Sequence, residues 1–353
     1  MNAIPINARQ IRARLDENHL DHVTWSLQDG FFALITTHGG RVFGPFSAPE
    51  APSQLWINPA FQDAGQFRRL LESGGWNLGG ERNWVAPEIQ YITLDRSKPD
   101  QVAVPPEMDP GQFHLTPWGA IGWKLCQRLT LEARNVAEGR KPLKVETHLR
   151  PVANPLRRLR TLPTLMEGVR YAGYEQATTL TDCQPDTIMS ELWNLVQLNP
   201  DGELLVASTT GFEIADYATQ PIQPGYYRHD GRLLHFQITG DSMYKIGLQS
   251  ACFSGRAAYL SPGDGRTAAL IVRNFFNNPS SIYIEEPAWS PGRWGDSLHV
   301  YNDGGRWGGF GELEVHGQTV GGQSGNTFSR DAMQLWFFWG RVEQLARIAN
   351  FLL

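Results

Sequence analysis

His299-Val300-Tyr301-Asn302-Asp303-Gly304-Gly305-Arg306-Trp307-Gly308-Gly309-Phe310-Gly311-Glu312-Leu313-Glu314-Val315-His316-Gly317 is a glycine-rich turn feeding a short strand. Successive side chains on a strand point to opposite faces. Phe310, Glu312, Glu314 and His316 therefore share one face, and Gly311, Leu313 and Val315 take the other. Such alternation is the habit of antiparallel sheets with one face in a core. The ionisable face has two readings, a solvated outer surface or a ligand-facing wall. Two carboxylates side by side raise the pKa of one, which suits acid–base chemistry.

Working outward, the same grammar repeats along most of the chain. Val23 to Leu27 and Phe31 to Thr36 flank Asp29-Gly30, a hairpin signal. Strands are expected around 120–132, 143–150, 164–170, 174–180, 188–198, 203–208, 232–238, 244–248, 257–260, 267–276 and 281–285. Asn199-Pro200-Asp201-Gly202, Asp230-Gly231 and Pro262-Gly263-Asp264-Gly265 supply turns between them. Residues 97–112 are proline-rich and polar and read as a surface loop. Helices are expected only at the ends. Ile11 and Leu15 repeat at helical spacing within 6–20, and Val342, Leu345, Ile348, Ala349 and Leu352 share one face of a closing helix after the buried strand Leu335 to Trp339. The fold class is all-β, in one contiguous domain over residues 1–353, with no internal repeat.

The totals agree. A chain of 353 residues with 41% apolar content can bury a large core, and 12 tryptophans, 36 glycines and 23 prolines suit short strands, tight turns and ring-shaped ligands. Charged residues make up 19% and the net charge is −5, which points away from nucleic acid and anionic membrane surfaces. Cys126, Cys183 and Cys252 are far apart and read as buried free thiols in a reducing compartment. No apolar run reaches membrane-span length, and Asp16, Glu17 and Asp21 stand where an export signal needs an apolar stretch, so a soluble cytoplasmic protein is expected.

The motifs of zinc proteases, phosphate cradles and nucleophilic serine elbows are absent. The nine histidines are scattered, so neither a metal nor a cofactor is expected. Asn302-Asp303-Gly304-Gly305 reads as a turn, one carboxylate being too few for calcium. The densest stretch elsewhere is Gly74-Gly75-Trp76-Asn77-Leu78-Gly79-Gly80-Glu81-Arg82-Asn83-Trp84-Val85-Ala86-Pro87-Glu88. There Arg82 offers a planar fork of donors, to a ligand or to Glu81 or Glu88. Trp84 and Trp76 offer flat apolar area, as a ligand platform or as core. Glu88 follows a proline. Trp193 and Gln197 lie four apart on a strand and share a face, while Lys245 at a strand start reads as a solvated charge or as a contact for an acidic ligand.

Several stretches together resemble the galactose mutarotase-like (aldose 1-epimerase-like) superfamily, in an uncharacterised bacterial branch. Gly39-Gly40-Arg41-Val42-Phe43-Gly44 is similar to its opening strand turn, and Gly79-Gly80-Glu81-Arg82-Asn83-Trp84-Val85-Ala86-Pro87-Glu88 to its GG-x-R-x-W-x-A-P-E segment. Ser190 to Gln197, Lys245 to Leu248 and Gly309 to Gly317 follow in the same order. The resemblance spans roughly residues 30–320.

It implies a β-supersandwich with a mono- or oligosaccharide cleft on one sheet. It also implies a late-chain glutamate base, falling on Glu312 or Glu314, that takes the anomeric proton while a histidine protonates the ring oxygen. The chain departs from the pattern at both histidine positions, which read Leu78-Gly79-Gly80 and Glu191-Leu192-Trp193-Asn194-Leu195. His316, or else His148, is the remaining candidate for that role. Three functions follow: a sugar epimerase, a saccharide-binding protein without catalysis, and a glycoside-cleaving enzyme using a carboxylate pair.

Overall fold

Strand alternation is realised as two large antiparallel sheets in a computed structural model, which describes residues 5–208, 211–263 and 266–353. The first sheet runs, neighbour by neighbour, through His22–Ser26, Phe32–Thr36, Arg41–Phe46, Glu81–Ala86, Glu191–Leu198, Gly311–His316, Asp296–Asp303, Met243–Gln249 and Ile214–Asp216. The second runs through Tyr227–His229, Leu233–Ile238, Gly202–Ser208, Phe253–Leu260, Thr267–Phe275, Phe328–Arg341, Arg170–Asp182, Gly139–Pro151, Gly122–Ala133 and His114–Trp118.

The core lies between them. Leu313 and Val315 join Val196, Val300 and Ile246 of the first sheet against Leu204, Phe236, Ile271 and Phe337 of the second. The far face of the second sheet is covered by the closing helix Val342–Leu352, whose Leu345, Ile348, Ala349 and Leu352 pack on Leu270, Val272 and Phe338. The opening helix Ala8–Glu17 begins with a reciprocal cap between Asn7 and Gln10 and buries Ile11 and Leu15. A third helix, Ala64–Glu72, was not read from the sequence; it buries a single residue, Phe67, too little to write a stripe.

The Asp29-Gly30 turn joins its two strands as expected, with both residues at positive φ. Three expectations are corrected. Residues 164–170 are not a strand: Leu162–Leu165 is one helical turn, and pairing starts at Arg170. Residues 281–285 are not a strand either, because the N–H groups of Ile284 and Glu285 donate to the Glu191 side chain instead of to a neighbouring chain. Residues 97–112 are not merely surface: Met108 and Asp109 are buried, and Asp109 accepts from Trp84 Nε1 at 2.9 Å. None of the three cysteines is in a disulfide, and the expected burial of the thiols is corrected as well: Cys183 is exposed, and Cys126 and Cys252 are half-buried. The Asp264-Gly265 half of the third turn signal lies outside the described residues. Among the described residues no helix is long and apolar enough to cross a membrane.

Candidate functional site

Sheet register assembles the site. Lys245 pairs with Tyr301, Tyr301 with Glu312, and Glu312 with Gln197. One row along, His299 pairs with Glu314, Glu314 with Leu195, and Leu195 with Arg82. The next row holds His316, Trp193 and Trp84. Cross-strand partners stand on one face, so strands from four distant parts of the chain present one polar surface. Gly80 permits the close start of Glu81–Ala86: at φ +78, a Cβ there would lie 2.4 Å from the Val42 carbonyl oxygen.

That surface is the floor of a cleft of about 990 Å³, counting its open mouth. Arg82, Trp84, Glu88, Trp193, Lys245, Glu312 and Glu314 all line it. Seven of the nine residues selected from sequence are thus brought together. The other two, His316 and Gln197, are fully buried behind the lining; Gln197 donates to Asn77 Oδ1 at 2.8 Å. The loop 97–112 closes one side through Pro99, Asp100, Val102 and Val104.

The carboxylates are not solvated. Glu312 is 5% exposed and Glu314 1%. Arg82 pairs with Glu312 at 3.1 Å, rather than with Glu81 or Glu88, and its guanidinium carbon stands 4.1 Å from the Trp84 ring centre. Its Nε and Nη1 are buried with no hydrogen-bond partner. Lys245 is not a solvated charge: its ammonium lies 2.6 Å from Glu88, 3.3 Å from Glu314 and 4.5 Å from the Trp193 ring centre. Trp193 Nε1 donates to the same Glu314 oxygen at 2.9 Å.

These surroundings split the two acids. Burial pushes Glu312 up to about 7, helped by the Glu314 charge and opposed by Arg82. Burial also acts to raise Glu314, but Lys245, His299 and His316 outweigh it and hold that carboxyl below its ordinary value. Lys245 stays protonated, because Glu314 and Glu88 outweigh the burial that opposes its charge. Across the cleft, burial drives Glu285 well above the usual carboxylate range, with the Glu88 charge adding to it against Lys245. One Glu285 oxygen accepts the Glu88 N–H at 2.7 Å.

Among the described residues no histidine lines the cleft. His148 is on the second sheet, stacked on Trp118 at 4.5 Å. His316 donates or accepts at both ring nitrogens, to Glu191 at 2.9 Å and to His299 Nδ1 at 2.9 Å. His299 stands 3.7 Å from Glu314 and is capped by Tyr217, whose ring centre is 4.5 Å away. Burial lowers His299 to about 3, so it is neutral. His299, Glu314 and His316 offer three donor atoms within 4.8 Å of one another, a set that suits zinc. The Lys245 ammonium lies 3.3 Å from the same Glu314 carboxylate and competes for its charge. Within the trio His316 is hydrogen-bonded to His299, while Glu314 stands 3.7 Å from His299 and faces the cleft.

Sequence reasoning missed Glu285 and Tyr217. Both lie where the strand period gives no signal, Glu285 in an irregular segment and Tyr217 just past the short strand Ile214–Asp216. The expected turn at 302–305 begins only at Gly304, since Asn302 and Asp303 end the strand Asp296–Asp303; the Asp303 carboxylate braces the turn by accepting the N–H groups of Trp307 and Gly309.

Two solved structures share this two-sheet arrangement. One is a proposed aldose 1-epimerase from Escherichia coli K12, at 10% identity and TM-score 0.51 over 90% of this chain and 99% of that one. The other is a galactose mutarotase-like protein from Lactobacillus casei ATCC 334, at 11% identity and TM-score 0.51 over 90% and 100%. This chain has the mutarotase-like fold. At such identities the likeness carries the fold alone, and neither a family model nor a curated protein matches the sequence. The β-supersandwich expectation holds.

Proposed function

We propose that the cleft binds a neutral saccharide and interconverts its anomers, with Glu312 as the base. The observation that carries this reading is the split pair on one strand: Glu312 titrates near neutrality while its neighbour Glu314 is held ionised. Two acids pushed apart by their surroundings are the mark of an acid–base site. Glu312 takes the proton of the anomeric hydroxyl, the bond from C1 to the ring oxygen breaks as the aldehyde forms, and the ring oxygen receives a proton. Glu285, lining the cleft and kept protonated by burial, supplies that proton in place of the absent histidine. Rotation about C1–C2 and reversal of the steps close the other anomer and return both protons.

Arg82 supports the binding half. Buried N–H groups without partners are uncommon in folded proteins, and its Nε and Nη1 are available to sugar hydroxyls. Glu314 orders Lys245 and Trp193. His316 acts as a positioning residue, holding the neutral His299 against Glu314. The lysine is neutralised by Glu88 and Glu314, which argues for a neutral sugar over an acidic one.

A second reading, saccharide binding without catalysis, is favoured by one observation: among the described residues no histidine lines the cleft. The test is anomer exchange, followed by NMR on neutral aldoses. Epimerisation predicts an exchange rate that rises with pH through about 7. In Glu312→Gln it falls by roughly a hundredfold or more while the sugar still binds. Binding with no acceleration at any pH selects the second reading.

A further inference from the structure

We infer that the cleft takes a saccharide of at least two rings, the first over Glu312 and Arg82 and the second on Trp307 and Trp76 at the mouth. This rests on the saccharide reading above. Four indoles form a continuous string from floor to mouth, with ring centres 5.6 Å apart from Trp193 to Trp84, 5.1 Å from Trp84 to Trp76 and 5.7 Å from Trp76 to Trp307. The inner pair is not a free platform. Trp84 and Trp193 are 4% and 3% exposed, and Arg82 and Lys245 sit over their faces. Of the two readings of Trp84, platform or core, this burial favours core. The outer pair is more exposed, Trp76 half-buried and Trp307 36% exposed, each with a guanidinium over one face: Arg82 at 5.4 Å from the Trp76 ring centre and Arg306 at 5.0 Å from that of Trp307.

The exposure of Trp307 is held in place by its surroundings. Asp303 accepts its N–H, Asn77 donates to its carbonyl at 2.9 Å, and the turn packs so closely that a Cβ on Gly308 would lie 2.6 Å from the Trp56 ring. A fixed, partly exposed indole offers stacking area at little entropic cost. Trp76, Trp307 and Arg306 line the cleft in addition to Glu312 and Arg82, and a ring held by Glu312 and Arg82 leaves them for a second one. Carboxylates outnumber cations along the lining, and the Arg306 side chain donates to the Asp100 carbonyl at 2.8 Å, so the outer ring is a neutral sugar and not a phosphate-bearing nucleotide.

The test is calorimetric titration of the full chain with D-glucose, D-galactose, maltose, cellobiose, lactose and UDP-glucose, on the wild type and on Trp307→Ala. At least one disaccharide is expected to bind about tenfold tighter than its monosaccharide, the scale of one aromatic stacking contact. Trp307→Ala should abolish that gain and leave monosaccharide affinity within about twofold, since Trp307 is remote from Glu312 in the string. Equal affinity for mono- and disaccharides overturns the second ring alone. UDP-glucose binding above every disaccharide overturns its chemistry. Binding of no probe at all overturns the saccharide reading itself, and this inference with it.

Discussion

Glu312 shows how far a residue's surroundings remake it. In sequence it is one acid among 36 acidic residues. In the fold it is buried beside an arginine and a second glutamate, and its carboxyl rises from 4.5 to about 7. A raised acid means that the native state binds the proton more tightly than the unfolded chain. Ionised Glu312 therefore costs stability, and that cost grows as pH rises from 4.5 towards 7 and is constant above. Relative to Glu312→Gln, the wild type should lose stability between pH 5 and about 8 in denaturant titrations. A difference flat across that window would mean that Glu312 ionises normally. Arg82 was legible as a donor fork but not its partner, because pairing across 230 residues has no local signature. Lys245 was misread as solvated for the same reason: its two carboxylate partners come from other strands.

At the scale of the element, the strand Gly311–His316 was readable in full. Its period of two placed Leu313 and Val315 in the core and Glu312 and Glu314 on the opposite face, and both placements hold. The two faces should separate in experiment. Leu313→Ala leaves a cavity between the sheets and should cost about 2–5 kcal/mol of stability. A cost below about 1 kcal/mol would show that the face points elsewhere. Elements without periodicity were not legible. Residues 281–285 carry apolar character, but Ile284 and Glu285 spend their N–H groups on Glu191, so the apolar run misled. The loop 97–112 was polar enough to pass for surface while supplying a wall of the cleft.

At the scale of the whole molecule, alternation and turns fixed the all-β class, and order of motifs pointed to the mutarotase-like fold that the two solved structures share. What sequence could not supply was the contact between sheets. Arg273 is fully buried on the second sheet and pairs with Glu81 and Asn194 of the first, a charge in the interior that hydrophobic patterning does not write. Nor could it say that both candidate histidines stand away from the cleft. The account depends on the cleft being a saccharide site. Thermal denaturation of the wild type and Arg82→Ala, with and without neutral mono- and disaccharides, tests that most directly, since a ligand of the native state raises Tm with its concentration over Kd. The account predicts a concentration-dependent rise with at least one neutral saccharide that Arg82→Ala loses. No rise with any of them, or a rise undiminished in Arg82→Ala, would contradict it.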